Sequence, residues 1–96
     1  MGKGFEWDTS KAEENLRKHA VTFEEAVSVF ANPLAVIFDD ELHSEEEPRE
    51  IIVGHSSQDR LLLICFVERK DLVRLINARP ATVKERKDYE KGILIR

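Results

Sequence analysis

The sequence predicts an α+β fold, in which two N-terminal helices precede a small, mostly antiparallel sheet and one C-terminal helix follows it. Three Ser/Thr-x-x-Glu patterns, at Ser10, Thr22 and Thr82, predict helix starts, because the hydroxyl and the glutamate can cap the first turn reciprocally. The apolar run over residues 61–67 predicts a central strand that is covered on both faces. A chain of 96 residues has room for one core, so we expect a single domain over residues 1–96.

The predicted helices follow from these starts and from spacings of three and four residues. They cover residues 11–18, 23–31 and 81–90. The first presents Asn15, Leu16 and His19 near one face, and Asn32-Pro33 ends the second, because the residue before a proline disfavours helix. Ala20 stands where a left-handed glycine often ends a helix, so the turn is either strained by about 1 kcal/mol or right-handed.

The predicted strands lie between the second and third helices, apart from a short one near the N-terminus. They cover residues 5–7, 34–38, 50–55, 60–69 and 72–78. Lys70-Asp71 connects the last two as a hairpin, so that these strands run antiparallel. In the first strand, Phe5 and Trp7 are expected to belong to the core rather than to a base-stacking platform.

The charge distribution tells more than the net charge of −4. Residues 39–50 hold seven acids and one arginine, whereas the remainder carries 14 Lys and Arg against 12 Asp and Glu. A local positive potential can therefore still bind an anion. The acidic total argues mildly against nucleic acid as a partner without excluding it.

Composition excludes several classes of protein. The only cysteine, Cys65, lies in an apolar run, which excludes a disulfide framework and predicts a small buried side chain. The sequence contains no run of 18 apolar residues, so no membrane span is predicted, and its N-terminus has no signal-peptide core. We therefore expect a cytoplasmic protein that does not contact a membrane.

No cofactor or metal is predicted. The three histidines, at 19, 43 and 55, are scattered and share no metal-ligand spacing, and the acidic segment beginning at Asp39 is expected to be a solvated loop. The four glycines are isolated, so there is no phosphate-binding loop.

Arginines are the candidates for chemistry, because guanidinium groups fork onto phosphate and stay charged at any working pH. They stand at positions 49, 60, 69, 74, 79 and 86, mostly on or beside predicted strands. We expect several of them to meet around one pocket next to the bend between the first two helices. Lys18 and His19 lie at the junction of the first two helices and can move protons. Together such groups suffice for metal-free RNA cleavage, in which the ribose 2′-hydroxyl attacks its own phosphate.

Each of these candidates also has a structural interpretation. Arg74, in mid-strand, is better explained as a cross-strand charge partner, and Arg79 fits equally well an ion pair with an acid such as Glu85 or Glu50. Glu68-Arg69 fits a surface ion pair at a hairpin corner. His19 also fits the last turn of a helix, where a positive charge stabilises the helix dipole.

The sequence resembles the BrnT toxins over residues 5–90, with the spacing intact. The resemblance lies in Phe5-Glu6-Trp7-Asp8, Lys11-Ala12, Asn15, Lys18-His19, Val21-Thr22-Phe23-Glu24-Glu25-Ala26, Val29-Phe30, Glu68-Arg69, Ala78-Arg79, Ala81-Thr82, Glu85-Arg86 and Tyr89-Glu90. It implies a type II toxin that cleaves RNA without a metal, with a fold similar to the RelE ribonucleases.

The resemblance also implies partners and site residues. The partners would be RNA and a BrnA-like antitoxin with a ribbon-helix-helix part, and operator DNA would be bound only through that antitoxin. The family's site residues carry over onto Lys18, His19, Arg49, Glu68, Arg69 and Arg79. Three residues depart from the family pattern: Ala20 replaces a glycine, Asn77 a serine, and Pro80 a basic residue, which removes a positive charge beside Arg79.

Three functional hypotheses therefore stay open. The first is a ribonuclease toxin in which Arg49, Arg69 and Arg79 bind phosphate while Lys18 or His19, with Glu68, moves protons. The second is a weak or inactive toxin-like module that only binds its antitoxin, and the third is an RNA-binding domain that does not cleave.

Overall fold

The computed structural model of the chain describes residues 4–41 and 47–92. In these residues the chain runs β1 (Gly4–Glu6), α1 (Thr9–His19), α2 (Phe23–Val29), β2 (Val36–Asp39), β3 (Glu50–His55), β4 (Leu61–Arg69), β5 (Leu72–Pro80) and α3 (Val83–Lys91). The predicted α+β fold is confirmed. Residues 42–46 of the predicted acidic loop, with His43, and residues 93–96 lie outside the described residues.

The described strands form one five-stranded sheet in the order β1-β5-β4-β3-β2. The pairs among β2, β3, β4 and β5 are antiparallel, as predicted, and β4 is central. β1 adds to the edge of β5 in parallel, so the sheet is mixed. The pairing of β4 with β5 shifts by one residue between Cys65 and Phe66.

Helices cover both sides of the sheet. α2 and the residues around it pack Val21, Phe23 and Ala26 against Leu62 and Ile64, which makes the main core. Phe5 and Trp7 pack against this core, with Trp7 edge-on to Phe23, so their predicted core role is confirmed. We call this the α1–α2 side.

The opposite side carries α3. Ala81 and Tyr89 pack against Val53, Leu61 and Leu63, and the Tyr89 hydroxyl donates a hydrogen bond of 2.9 Å to the Leu34 carbonyl. We call this the α3 side. None of the helices in the described part of the chain is long and apolar enough to cross a membrane.

Two of the three predicted helix caps are confirmed. Thr22 and Thr82 accept hydrogen bonds from the amides of Glu25 and Glu85, and the Thr82–Glu85 box is reciprocal. The prediction for Ser10 was wrong, because Asp8 is the N-cap of α1, where a carboxylate accepts from an amide and also faces the positive end of the helix.

The bend between α1 and α2 uses a left-handed residue. Ala20 has φ 56° and ψ 34°, so of the two alternatives the strained turn is correct and the right-handed turn is wrong. The Arg60 guanidinium donates a hydrogen bond of 2.9 Å to the Ala20 carbonyl. It also binds the carboxylate of Glu25, a residue that is only 5% exposed. These contacts with the β3–β4 turn hold the bend in place.

α1 lies along β5 through one buried asparagine. The Asn15 amide donates to the carbonyls of Ala78 and Val21 at 2.9 and 3.0 Å, and its oxygen accepts from the Ala78 amide at 3.0 Å. This side chain therefore occupies the edge of β5 beyond the short β1. Leu16, predicted near the same helix face as Asn15, is exposed because Asn15 defines the side of α1 that meets the sheet.

Candidate active site

Charged side chains cover the α3 side of the sheet toward the end of β4. Val67 is buried there, and the pairing places it opposite Arg74, which in turn lies opposite Glu6. Extending the β3–β4 register by one residue places Arg49 on the other flank of Val67. Arg69, two residues after Val67, points to the same side because side chains alternate along a strand.

We call Arg49, Arg69 and Arg74 the arginine cluster. The Cα atoms of Arg49 and Arg74 are about 10 Å apart across β4, given two strand spacings. Each side chain is long enough to reach a phosphate held above Val67. Arg49 and Arg69 were both predicted from the sequence as site residues, and the structure brings these two together.

Two carboxylates already bind the arginine cluster. Glu47 accepts from Arg69 at 2.8 and 3.1 Å, and Glu6 lies 3.6 Å from both Arg69 and Arg74. The Arg69 hydrogen bonds lower the pKa of Glu47, with further lowering by the charges of Arg69, Arg74 and Arg49. The charge-partner interpretation of Arg74 is confirmed, and the same contacts show how an anion is held here.

Arg79 lies on the same side of the sheet but at its other end. It pairs with Leu63, six residues before Arg69 on β4, which separates the two arginines by about 20 Å. Arg79 forms two hydrogen bonds of 2.8 Å with Glu85 of α3. These bonds, together with those from Thr82, lower the pKa of Glu85 to about 2, against the opposing effect of burial.

Lys18 and His19 lie in the last turn of α1, which packs along β5. His19 follows Asn15 by four residues, so their Cβ atoms are about 6 Å apart on one helix face. Since Asn15 binds Ala78, His19 lies near the end of β5 that carries Arg79. Lys18 is exposed and binds Glu14 at 2.9 Å.

The predicted site residues thus do not form one group. Arg49 and Arg69 belong to the arginine cluster. Arg79 lies at the other end of β5 and binds Glu85 on the α3 side, and Lys18 and His19 lie in the last turn of α1, which packs along β5. Glu68 lies opposite Val73, a core residue of the α1–α2 side, so alternation directs its side chain away from Arg69.

Cys65 lies beneath the edge of the arginine cluster. Its sulfur is 3.7 Å from a carboxylate oxygen of Asp40, and burial, with the charge of Asp40, raises the pKa of the thiol to about 11. The thiol is therefore protonated at neutral pH and is no nucleophile. Its predicted burial is confirmed.

Sequence reasoning missed the acidic members of this site. Glu6 and Glu47 lie far apart along the chain, and their common position on the arginines depends on strand pairing that no local pattern specifies. Among the residues that the structure describes, no group of three or more His, Cys, Asp or Glu side chains is arranged to hold a metal ion.

Comparison with known proteins identifies the family. A family model described as "Ribonuclease toxin, BrnT, of type II toxin-antitoxin system" matches residues 7–85. No curated protein matches the chain. The 1.1 Å crystal structure of the Brucella abortus ribonuclease toxin BrnT shares the fold, with a TM-score of 0.64 and 19% identity over 85% of this chain and 99% of that one.

The family match covers most of the chain and includes Lys18, His19, the arginine cluster, Arg79 and Glu85. The structural match covers the same fold of helices and mixed sheet. The chain therefore belongs to the BrnT family and is a ribonuclease toxin of a type II toxin–antitoxin system.

Proposed function

We propose that this toxin cleaves single-stranded RNA without a metal ion, through attack of a ribose 2′-hydroxyl on the neighbouring phosphate. The observation that carries the proposal is the position of Arg49, Arg69 and Arg74 around Val67, on the same side of the sheet as Arg79. Guanidinium groups bind phosphate oxygens in pairs. Positive charge at two places about 20 Å apart suits a strand of several nucleotides laid across the sheet.

We place the reacting phosphate at the end of β5. His19 accepts the proton of the 2′-hydroxyl while the hydroxyl oxygen bonds to phosphorus. The bond from phosphorus to the 5′-oxygen breaks, and Lys18 protonates that oxygen. Arg79 stabilises the negative charge that develops on the phosphate, and the arginine cluster binds the strand further along.

RNA must compete with carboxylates for these arginines. Glu47 and Glu85 each bind an arginine through two hydrogen bonds, in the geometry that a phosphate would use. The Glu47 pair is about half-exposed and is easily exchanged, whereas Glu85 is buried. We therefore expect the arginine cluster to bind RNA first and Arg79 to exchange its partner only in the productive complex.

A toxin of low activity is the second candidate, and the Arg79–Glu85 pair favours it. Glu85 neutralises Arg79, and Pro80 stands where the resemblance to the family implies a basic residue, which removes a positive charge beside Arg79. In this case the protein would still bind its antitoxin. The rate of RNA cleavage by this chain, compared with that of an active family member, distinguishes a toxin of low activity from a fully active one.

The test of the reaction uses the purified chain and a single-stranded RNA, with EDTA present. We expect cleavage to continue and to give 2′,3′-cyclic phosphate and 5′-hydroxyl ends. A matched RNA with 2′-deoxyribose at the cut position should stay whole, because it lacks the nucleophile. Cleavage that stops with EDTA and returns with Mg²⁺ would contradict the metal-free mechanism.

The test of the residues compares single alanine variants. His19→Ala and Arg79→Ala should lose cleavage with RNA binding nearly intact, whereas Arg69→Ala should mainly weaken binding. Lys11→Ala, in the exposed first turn of α1, is the control for loss of a positive charge. If His19→Ala cleaves like the parent, the reacting phosphate is misplaced. RNA that is bound but never cut would indicate a binding domain.

We further propose that the antitoxin is BrnA-like, with a ribbon-helix-helix part, and that operator DNA is bound only through it. The match to a toxin family of type II toxin–antitoxin systems supports this division, because the resemblance to that family implies an antitoxin that carries the DNA-binding part. An RNA substrate also agrees with the expected cytoplasmic location. In a gel-shift assay, operator DNA should shift with the complex and not with the toxin alone.

A further inference from the structure

The two edges of the sheet differ in whether their backbone groups are covered. At one edge, β1 covers the first residues of β5, and the Asn15 side chain pairs with both backbone groups of Ala78. At the other edge lies β2 (Val36–Asp39), which pairs only with β3 in the described residues. An uncovered edge strand is a template for pairing with another chain.

The register identifies which backbone groups of β2 point outward. The Asp40 amide donates to the Arg49 carbonyl at 2.8 Å, and this pair continues the β2–β3 register. In an antiparallel ladder, hydrogen-bonded pairs alternate with pairs that face away. Ile37 and Asp39 therefore present their N–H and C=O groups to the outside, and no described residue hydrogen-bonds to them.

The side chains around this edge are apolar and exposed. Leu34 is 76% exposed, Val36 49% and Ile37 52%. Val36 and Ile37 lie on opposite sides of the sheet, so an added strand would find an apolar neighbour on each. Outward backbone groups and flanking apolar side chains are what a strand-addition site provides.

The charge of this edge selects the partner. Asp39 and Glu41 are exposed at its end. A second copy of the chain would bring the same acids to the interface, and like charges placed opposite each other are unfavourable. An extended segment with Lys or Arg beside apolar residues complements the edge in both respects.

We propose that an extended, basic and apolar segment of the antitoxin adds to the edge of β2 as a sixth strand, bonding to the backbone of Ile37 and Asp39. The inference rests on the proposed function, because it takes the antitoxin as the partner. The chain leaving Asp39 leads to Asp40, which bonds to Arg49 of the arginine cluster. A bound segment that continues past Asp39 therefore reaches the place where RNA binds.

The test measures the affinity of toxin variants for the purified antitoxin of the same operon by calorimetry at 0.15 M salt. Ile37→Pro removes an outward N–H and leaves the bonds to β3 intact, as prolines do on edge strands. Asp39→Lys reverses the charge. One lost hydrogen bond of about 1 kcal/mol corresponds to about fivefold, so Ile37→Pro should bind at least fivefold more weakly. Asp39→Lys should also weaken binding, because it places a like charge opposite the basic segment.

The control is Glu13→Lys, the same reversal on the exposed face of α1 at the opposite end of the sheet; it should bind within twofold of the parent. Affinity within twofold for both edge variants would overturn the proposal. So would a concentration-dependent toxin dimer that Ile37→Pro abolishes, because the occupant would then be a second copy.

Amide exchange provides a readout that does not depend on a variant folding. Binding of the antitoxin should slow exchange at Ile37 and Asp39 at least tenfold, and unchanged exchange at both would overturn the proposal. RNA cleavage by the free toxin separates the two hypotheses. If the free toxin does not cleave RNA, the proposed function is refuted. If the antitoxin inhibits cleavage by the parent and by the edge variants equally, this docking site is refuted.

Discussion

Glu85→Gln is the sharpest perturbation that the structure offers, because it removes one charge and keeps the shape of the side chain. Glu85 is 8% exposed, binds Arg79 through two hydrogen bonds and accepts from the Thr82 amide. Its pKa is lowered from 4.5 to about 2, chiefly by Arg79. At about 1.4 kcal/mol per pKa unit, this corresponds to about 3 kcal/mol of stability from ionised Glu85.

The direction in which this contribution changes with pH follows from the lowered pKa of the Glu85 carboxylate. The contribution of Glu85 is complete above the unfolded pKa of about 4.5 and is lost as the pH falls toward 2. Glutamine at this third helical position still caps the first turn, so the variant isolates the charge. The difference in unfolding free energy between parent and variant should be about 3 kcal/mol at pH 7 and should largely vanish at pH 2.

Urea unfolding of parent and variant at pH 7, 4 and 2.5 measures this difference directly. Glu90→Gln, at an exposed position of the same helix, is the control and should change the unfolding free energy by less than about 0.5 kcal/mol. A difference between parent and Glu85→Gln that stays constant from pH 7 to pH 2.5 would refute the reasoning, because it would not come from ionisation.

Three further predictions concern stability and RNA binding. Asn15→Ala leaves the backbone of Ala78 unsatisfied, and urea unfolding should show a loss of about 2–3 kcal/mol. Ala20→Gly relieves a left-handed alanine and should raise the unfolding free energy by about 0.5–1 kcal/mol; an unchanged or lower value would contradict it. Arg69→Ala should barely affect stability but lower the salt dependence of RNA binding by about one phosphate contact, measured by fluorescence anisotropy across salt concentrations.

Local patterns predicted most of the elements. The reciprocal cap of Thr82 and Glu85 is specified within four residues, and the structure shows it as expected. The apolar run from 61 to 67 predicted the central strand because both of its sides are covered. Ser10 failed as a cap because the helix begins before it: Asp8 is the N-cap and accepts from the Lys11 amide, so Ser10 lies inside the first turn.

The arrangement of the site was harder to predict, because it depends on register. The grouping of Arg49 with Arg69 follows only once β3 and β4 are aligned. The distance of Arg79 from them, about 20 Å, follows from its pairing with Leu63. The sequence alone suggested one pocket for these arginines, and the structure shows two positions on one side of the sheet.

The register shift between β4 and β5 is a β-bulge in β5, and it creates this arrangement. Arg74 and Arg79 are five residues apart, so strict alternation would direct them to opposite sides of the sheet. Asn77 pairs with Cys65 and Leu75 with Phe66, which leaves Ile76 as an extra residue and restores both arginines to the α3 side. The same shift turns Val73 and Leu75 into the core on the α1–α2 side.

Deleting Ile76 tests this role of the bulge. Without Ile76 the two arginines are four residues apart, so regular alternation keeps both on the α3 side and leaves Val73 and Leu75 in the core. Because no charge is buried and no core side chain is turned outward, the deletion variant should fold and should bind RNA through the arginine cluster with an affinity close to that of the parent, measured by fluorescence anisotropy. Ile76→Ala keeps the bulge and is the control, which should also retain binding. A deletion variant that loses RNA binding while Ile76→Ala keeps it would show that offsetting the odd spacing of the two arginines is not the whole role of the bulge.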